Sequence, residues 1–471
     1  MLQKLQLTEN KFESFLLYFI IIQPILDLLT SFSILVLNID TTAGIIVRFL
    51  VMLFSLVYIL IKSFTGEGKR YLIYLLFLGS AVGISLINNL LIKDPVSLSE
   101  EVKFAAKVVY PLVMIFSYIL AFKAFKKSGG FQKKVIKYIT YSTLIINVSM
   151  ILAIITGTSN DSYINGKAGS LGWFFAANPL GATLAICLPV VLLYSINNTT
   201  KFSQLFYWIP TLLSVYSLIM VGTKVGYGAI LIVLFLGLFM SLVEFFKHRK
   251  SGNRQQYLLN TSISGLVLII VILITPYTPL AANTSMHLSL LGIDTSVDTT
   301  NDETEQSKDQ NEQNDKSSKP KQKNIVGQVE NIDPNQMENL LLSSREVYVD
   351  RFKGFFDDAP TSQKILGMGY AGNYEEDPKT IEMDFHDIFF SFGILGFIII
   401  ILPLIYFGIR IIIRVLKRLL HFFTLKYVLI ASGLALALGI AFTAGHVLTA
   451  PAVSIFFSIL FAFLIVDLEI D

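Results

Sequence analysis

The chain has 471 residues, of which 54% are hydrophobic and 13% aromatic, and its mean hydropathy is +0.64. A soluble domain of this length carries far less apolar side chain, so a soluble globular protein is excluded. The formal net charge of +3 gives little information by itself, because it sums regions of opposite sign. The single cysteine, Cys187, excludes an intrachain disulfide.

Twelve apolar segments are long enough to cross a membrane, which takes about 20 helical residues for a hydrocarbon layer of roughly 30 Å. Their apolar residues run continuously, which favours helices over the alternating strands of a barrel. The sequence therefore predicts an all-α polytopic membrane protein. The segments lie near residues 14–37, 43–62, 71–92, 104–122, 136–157, 174–195, 205–222, 224–246, 257–279, 387–413, 426–445 and 448–467.

Basic residues predict the orientation of these spans. With the N-terminus inside, the cytoplasmic segments hold 21 of the 37 lysines and arginines, as the positive-inside rule requires. We therefore expect a multi-pass protein of the cell membrane with both termini cytoplasmic. The predicted organisation is nine helices in residues 1–275, an extracytoplasmic loop at 276–386, and three helices in 387–471.

The large outer loop contains two segments of different composition. Between Pro276 and Phe385 it carries 20 acidic against 10 basic residues, so it should repel an anion unless particular cations hold one. Residues 294–323 have almost no apolar side chain, which predicts a disordered insert. Residues 333–356 begin with Asp-Pro and then space their apolar residues at helical intervals, which predicts an outer helix.

Arg345 lies on the apolar side of that outer helix. At about 100° per residue, Leu341, Tyr348 and Phe352 fall within roughly 60° of it. The guanidinium should therefore face the membrane domain. The alternatives are an arginine that extends to water and one that pairs with an acidic neighbour.

Other basic residues cluster at the predicted outer ends of spans. Ionisable groups at membrane depth are costly and usually functional, so we expect these cations and Arg345 to share an anionic ligand in one outward-facing cavity. The alternative is a set of separate ion pairs, such as Arg48 with Asp27. The cations are Arg48, Lys103, Lys107 and Lys224.

His386 stands where the tenth span begins, at the level of a lipid head group. Histidine titrates near neutral pH, so a general base is one interpretation. A helix cap or a pair with Asp384 or Asp387 is another. The three residues could also bind a metal, but their spacing is not diagnostic, and we predict neither a metal nor a cofactor.

Four segments together resemble the bacterial O-antigen ligase and polymerase superfamily, which are membrane glycosyltransferases acting on undecaprenyl-diphosphate-linked glycans. The resemblance covers most of the chain, including the twelve spans and the outer loop after the ninth. Lys224 stands where the family usually has arginine, and Asp387 where it has asparagine. The segments are "LIMVGTKVGYGAILIVL", "SSREVYVDRFKGFF" followed by "KILGMGY", "FHDIFFSFGILGF" and "AGHVLTAPAVSIFF".

The resemblance implies a GT-C-like fold and a role in cell-surface polysaccharide synthesis at the outer face of the membrane. By the resemblance, Arg345 and Lys224 would hold the lipid diphosphate. Arg48 and Lys107 are further diphosphate-binding candidates because they are basic residues at the same predicted outer face. His386 would activate the acceptor hydroxyl, and Arg345 would also act in catalysis by neutralising the leaving group. The two substitutions leave the finer assignment open, since lysine keeps the charge but loses the bidentate fork of arginine.

The implied partners are a lipid-diphosphate-linked glycan donor, a glycan or cell-wall acceptor and membrane lipids. A flippase and a chain-length regulator are candidate protein partners, and no nucleic acid is expected. A ligase and a polymerase differ only in their acceptor, which the sequence does not name. The rival class is a lipid-linked oligosaccharide flippase or other exporter, although the chain shows no repeated halves of the kind that carriers use and no nucleotide-binding glycine motif.

Overall fold

The structure is a computed structural model that describes residues 2–39, 42–162, 168–248, 254–290, 345–376 and 378–470. The predicted insert at 294–323 and the first part of the predicted outer helix, 333–344, lie outside the described residues.

Within the described ranges, eleven helices are long and apolar enough to cross a membrane. A 3-10 turn, Phe202–Trp208, leads into α7 and lengthens that span. The helices from the N-terminus to the outer loop are α1 Leu2–Leu35, α2 Ala43–Phe64, α3 Lys69–Ile92, α4 Leu98–Ser128, α5 Phe131–Ile155, α6 Ala177–Asn198, α7 Ile209–Val221, α8 Lys224–Lys247, α9 Arg254–Ile274 and α10 Pro279–Leu290. The remaining helices are α11 Arg345–Asp358, α12 Thr361–Leu366, α13 Asp384–Lys417, α14 Leu419–Phe422, α15 Leu425–Thr443 and α16 Pro451–Asp467.

The twelfth predicted span is present as α16, an apolar helix of 17 residues that is shorter than the other eleven. All twelve predicted segments coincide with helices. In the described part of the chain the only strands are two short ones, β1 Asn160–Asp161 and β2 Ser170–Gly172, which pair antiparallel. The prediction of an all-α polytopic membrane protein is confirmed.

The central helices of the bundle are buried by other helices, whereas the peripheral helices expose one side at the surface of the protein. In the most apolar stretch of α6, 89% of the residues are buried, against 22% in the most apolar stretch of the span formed by α9 and the 3-10 turn after it. Helix α6 packs against α5, α7, α8, α15 and α16, and α16 packs along α4. No described part of the chain covers this apolar periphery, as expected for a helix surface that faces lipid.

The described part of the outer loop packs as a small layer over one end of the bundle. Phe352, on α11, is buried as its position on the apolar stripe predicts, and its ring lies 5.7 Å from that of Phe390 at the start of α13. Met368, Ile381 and Met383 complete this second apolar core. Burial of these side chains holds α11 against the membrane domain.

A glycine turn after α12 is clamped by Lys93, directly after α3, and by Glu101, in the first turn of α4. Gly367 and Gly369 have positive φ, and a Cβ on Gly369 would lie 2.4 Å from a carboxylate oxygen of Glu101. Lys93 Nζ lies 2.6 Å from Glu101 Oε1 and donates to the Tyr370 carbonyl at 2.8 Å, while Tyr370 N donates to Glu101 Oε2 at 2.9 Å. Both charges are buried and hydrogen-bonded, so removing either one leaves an unpaired charge.

Candidate active site

Arg345 is the first residue of α11, and its side chain is 14% exposed. Its Nη2 lies 3.3 Å from Glu382 Oε2, so the expected pairing with an acidic neighbour is present. The side chain also lines a cavity of about 170 Å³ together with Lys224. We call this space the Lys224 cavity. The two residues that the family resemblance assigns to the diphosphate thus meet in one place.

The start of α8 supplies much of the wall of the Lys224 cavity. Gly222 adopts a left-handed conformation that ends α7, and Thr223 caps α8 by accepting a hydrogen bond from Gly226 N at 3.1 Å. Lys224 is therefore the first residue of a 24-residue helix. The N-terminus of a helix carries a partial positive charge and free backbone N–H groups, both of which favour an anion.

Helix α10 closes the Lys224 cavity from the loop side. His287 Nδ1 lies 3.3 Å from Lys224 Nζ. Asn283 ties the walls together, because its side chain donates to the carbonyls of Ala168 and Gly222 at 2.8 and 3.3 Å. Among the described residues, the lining contains the basic side chains of Lys224 and Arg345 and no carboxylate.

A second cavity of about 350 Å³ lies among α1, α2, α4, α5, α6 and the start of α16, and we call it the Lys107 cavity. Arg48 lines this cavity, but its guanidinium already has partners within the protein, because it donates to Asp27 Oδ1 at 2.7 Å and to Gln23 Oε1 at 2.9 Å. The alternative in which Arg48 pairs with Asp27 is therefore what the structure shows. The expectation of one shared cavity needs correction, since the basic residues divide between two.

Lys107 and Lys103 differ in their surroundings although they lie one turn apart on α4. Lys103 is 43% exposed and pairs with Glu100 at 2.8 Å. Lys107 is half-buried and lines the cavity, and no ion pair or hydrogen bond joins it to any residue that the structure describes. Of these two lysines, Lys107 is therefore the one available to a ligand in the cavity.

The turn between α15 and α16 separates the two cavities. Gly445 lines the Lys224 cavity and the next residue, His446, lines the Lys107 cavity. Both have positive φ, 64° and 59°. A Cβ on Gly445 would lie 2.4 Å from the Glu382 carbonyl oxygen, so glycine is required for this close approach.

Glu382 connects the residues on either side of that turn. Its Oε2 lies 3.3 Å from Arg345 Nη2 and 3.5 Å from His446 Nε2. The pKa of the Glu382 carboxyl is below its ordinary value of about 4.5, because the His446 side chain and then the Arg345 guanidinium favour its charged form more than burial disfavours it. Glu382 is therefore ionised near neutral pH.

His386 lies in the first turn of α13 and lines neither of these two cavities. Its ring is half-buried and 6.3 Å from that of Phe442. Its Nδ1 is buried without a hydrogen-bond partner in the described residues. A buried polar atom of this kind is costly unless a water or a ligand reaches it.

Asp384 and Asp387 flank His386 and accept hydrogen bonds from backbone N–H groups and from one hydroxyl group. They hold the start of α13 to the preceding loop and to the turn after α15. Among the described ranges, no three histidine, cysteine, aspartate or glutamate side chains form a group that could bind a metal ion. The donors, at 2.6–3.2 Å, are Val447 N, Leu448 N and Thr449 Oγ1 for Asp384, and Ile381 N and Met383 N for Asp387.

Sequence reasoning missed three residues of this region: Glu382, His446 and His287. His446 lies in the "AGHVLTAP" segment and Glu382 precedes "FHD", so each was next to a recognised motif. Their proximity depends on folding of the outer loop over the bundle, which local spacing does not show. His287 carried no signal beyond its place after the ninth span.

Comparison with known proteins identifies one family. A family model described as "O-antigen ligase like membrane protein" matches residues 9–471. Neither a curated protein nor a solved structure matches the chain significantly.

Proposed function

Because the chain belongs to the family of O-antigen ligase-like membrane proteins, we propose that it transfers a glycan from a lipid diphosphate to the hydroxyl group of an acceptor. The reaction serves cell-surface polysaccharide synthesis at the outer face of the cytoplasmic membrane. The observation that carries the proposal is the Lys224 cavity. There Lys224 and Arg345, which are far apart in the chain, line one space at the N-terminus of α8.

The chemistry explains why two cations are needed there. The acceptor oxygen forms a bond to the anomeric carbon of the donor sugar, and the bond from that carbon to the diphosphate oxygen breaks. The electron pair of the broken bond leaves with the diphosphate, whose negative charge grows in the transition state. Cations held in place before the reaction stabilise this charge without reorganising.

The acceptor hydroxyl must also lose its proton, and we assign His386 as the general base. The family resemblance and the unpartnered Nδ1 support this assignment. A neutral imidazole takes up a proton near physiological pH, which suits it to this step. His386 is then the residue that distinguishes glycan transfer from transport of the intact lipid-linked glycan.

The test is formation of longer or transferred glycan by the purified protein in detergent, from a lipid-diphosphate-linked oligosaccharide and without nucleotide. The donor already contains the bond whose cleavage drives the reaction, so product should form without nucleotide. Because we expect no metal, product should also form in the presence of a chelator. A flippase only moves the intact lipid-linked glycan between two compartments, which detergent removes. It would therefore form no new glycosidic bond in this assay. Unchanged substrate with folded protein would contradict the proposed function.

The orientation is the second part of the proposal, since an outer site requires the large loop outside. Ser307→Cys should react with a membrane-impermeant thiol reagent in intact cells, whereas Ser128→Cys should react only after lysis. The native Cys187 is buried, so its replacement by serine should leave the pattern unchanged. The reverse labelling pattern would place the cavities on the cytoplasmic side.

A further inference from the structure

The division of the basic residues between two cavities gives the molecule a second cationic space. Among the described residues that line the Lys107 cavity, the one carboxylate, Asp27, accepts a hydrogen bond from Arg48 at 2.7 Å. No ion pair or hydrogen bond joins Lys107 to a residue in the described part of the chain, and the carboxylate that acts on it electrostatically, Glu100, is itself paired with Lys103 at 2.8 Å. A half-buried ammonium group without a counter-ion is costly in a membrane protein. An anionic ligand would offset that cost.

The rest of the lining indicates what kind of anion fits. Phe49, Phe174 and Phe175 lie on the wall, and Phe175 is 48% exposed. A free phosphate ion gains nothing from these rings. The head group of a lipid phosphate or diphosphate places its charge near Lys107 and the first part of its chain against the aromatic side chains.

The position of the cavity relates it to the Lys224 cavity. Gly445 and His446, adjacent in the chain, face the two spaces, and Glu382 lies between Arg345 and His446. Two anionic head groups would therefore lie on opposite sides of one turn. Reaction between two lipid-linked substrates needs such an arrangement, whereas transfer to an uncharged acceptor needs only one cationic site.

We propose that the Lys107 cavity binds the lipid phosphate or diphosphate head group of the acceptor. The assignment of this ligand as the acceptor rests on the proposed glycan transfer, but the existence of a second site does not. The enzyme would then join two lipid-linked glycans, which is polymerisation.

Binding of farnesyl diphosphate to the purified full-length protein in detergent tests the proposal. The unmutated protein should bind two equivalents. Lys107→Gln should weaken one site at least tenfold, as loss of a charge-assisted contact does, and Lys107→Arg should keep it. Lys103→Gln is the matched control, because that exposed, paired lysine lies one turn away and both sites should persist.

The double variant Lys224→Gln, Arg345→Gln should lose the other equivalent and keep the Lys107 site. Inorganic diphosphate should compete only weakly with farnesyl diphosphate at the Lys107 site. If inorganic diphosphate bound there as tightly as farnesyl diphosphate, the ligand would be a free anion and the lipid assignment would be wrong. A single equivalent in the unmutated protein, or two in Lys107→Gln, would overturn the second site. If Lys107→Gln lost one equivalent of farnesyl diphosphate and the double variant still bound two, the second site would be supported. The assignment of Lys224 and Arg345 to the donor would then be contradicted.

Discussion

Arg345→Ala and Lys224→Ala are each expected to lower the rate of glycan transfer strongly while the protein remains folded and abundant. Each removes a cation from the Lys224 cavity, where the leaving diphosphate gains charge. A charge-assisted contact contributes roughly 1.5–3 kcal/mol, which is about a ten- to hundredfold loss of rate per residue. The measurement is product formation in the detergent assay, normalised to folded protein.

Conservative variants and a matched control refine this expectation. Arg351→Ala removes an exposed arginine from the same helix and should leave the rate near normal. Lys224→Arg keeps the charge and should retain activity, whereas Arg345→Lys loses the bidentate fork and should lie between the alanine variant and the unmutated protein. An inactive Lys224→Arg beside an active Lys224→Ala would show that the family role does not apply at this position.

His386→Ala is expected to abolish polymer growth, and His386→Gln to fail nearly as badly. Glutamine can hydrogen-bond but cannot accept the proton, so the loss should be the roughly 10²–10⁴-fold typical of general base catalysis. A residue that only caps α13 would tolerate glutamine. The measurement is the initial rate at saturating donor, in the presence of a chelator.

Two further histidine variants make the His386 experiment decisive. His421→Gln, an exposed histidine in the segment between α13 and α15, should be neutral. His446→Gln tests a second histidine of this region, which lies 3.5 Å from Glu382 and lines the Lys107 cavity. If His446→Gln were inactive and His386→Gln fully active, the base would be His446. Activity of the unmutated protein that vanished only with chelator would indicate a metal-dependent reaction instead.

The outcome for the individual cations shows where sequence reasoning ends. The sequence identified Arg345 and Lys224 together, and the structure places them on one cavity. It also grouped Arg48 and Lys107 with them, whereas the structure puts these two in a separate cavity and pairs Arg48 with Asp27. The sequence shows the charge of a residue and its position along a span. It does not show which residue of another helix will pair with it.

The sequence alone determines the membrane class and the positions of the twelve predicted segments. It also shows that most lysines and arginines lie in the connections on one predicted side of the membrane. Their physical causes, apolar length and charge, are local properties of the chain. Only the tertiary structure decided which cations share a cavity, that Glu382 links Arg345 to His446, and that Lys93 and Glu101 clamp the glycine turn. Each of these contacts joins residues from different helices or loops, so it arises only when burial of the apolar faces brings those elements together.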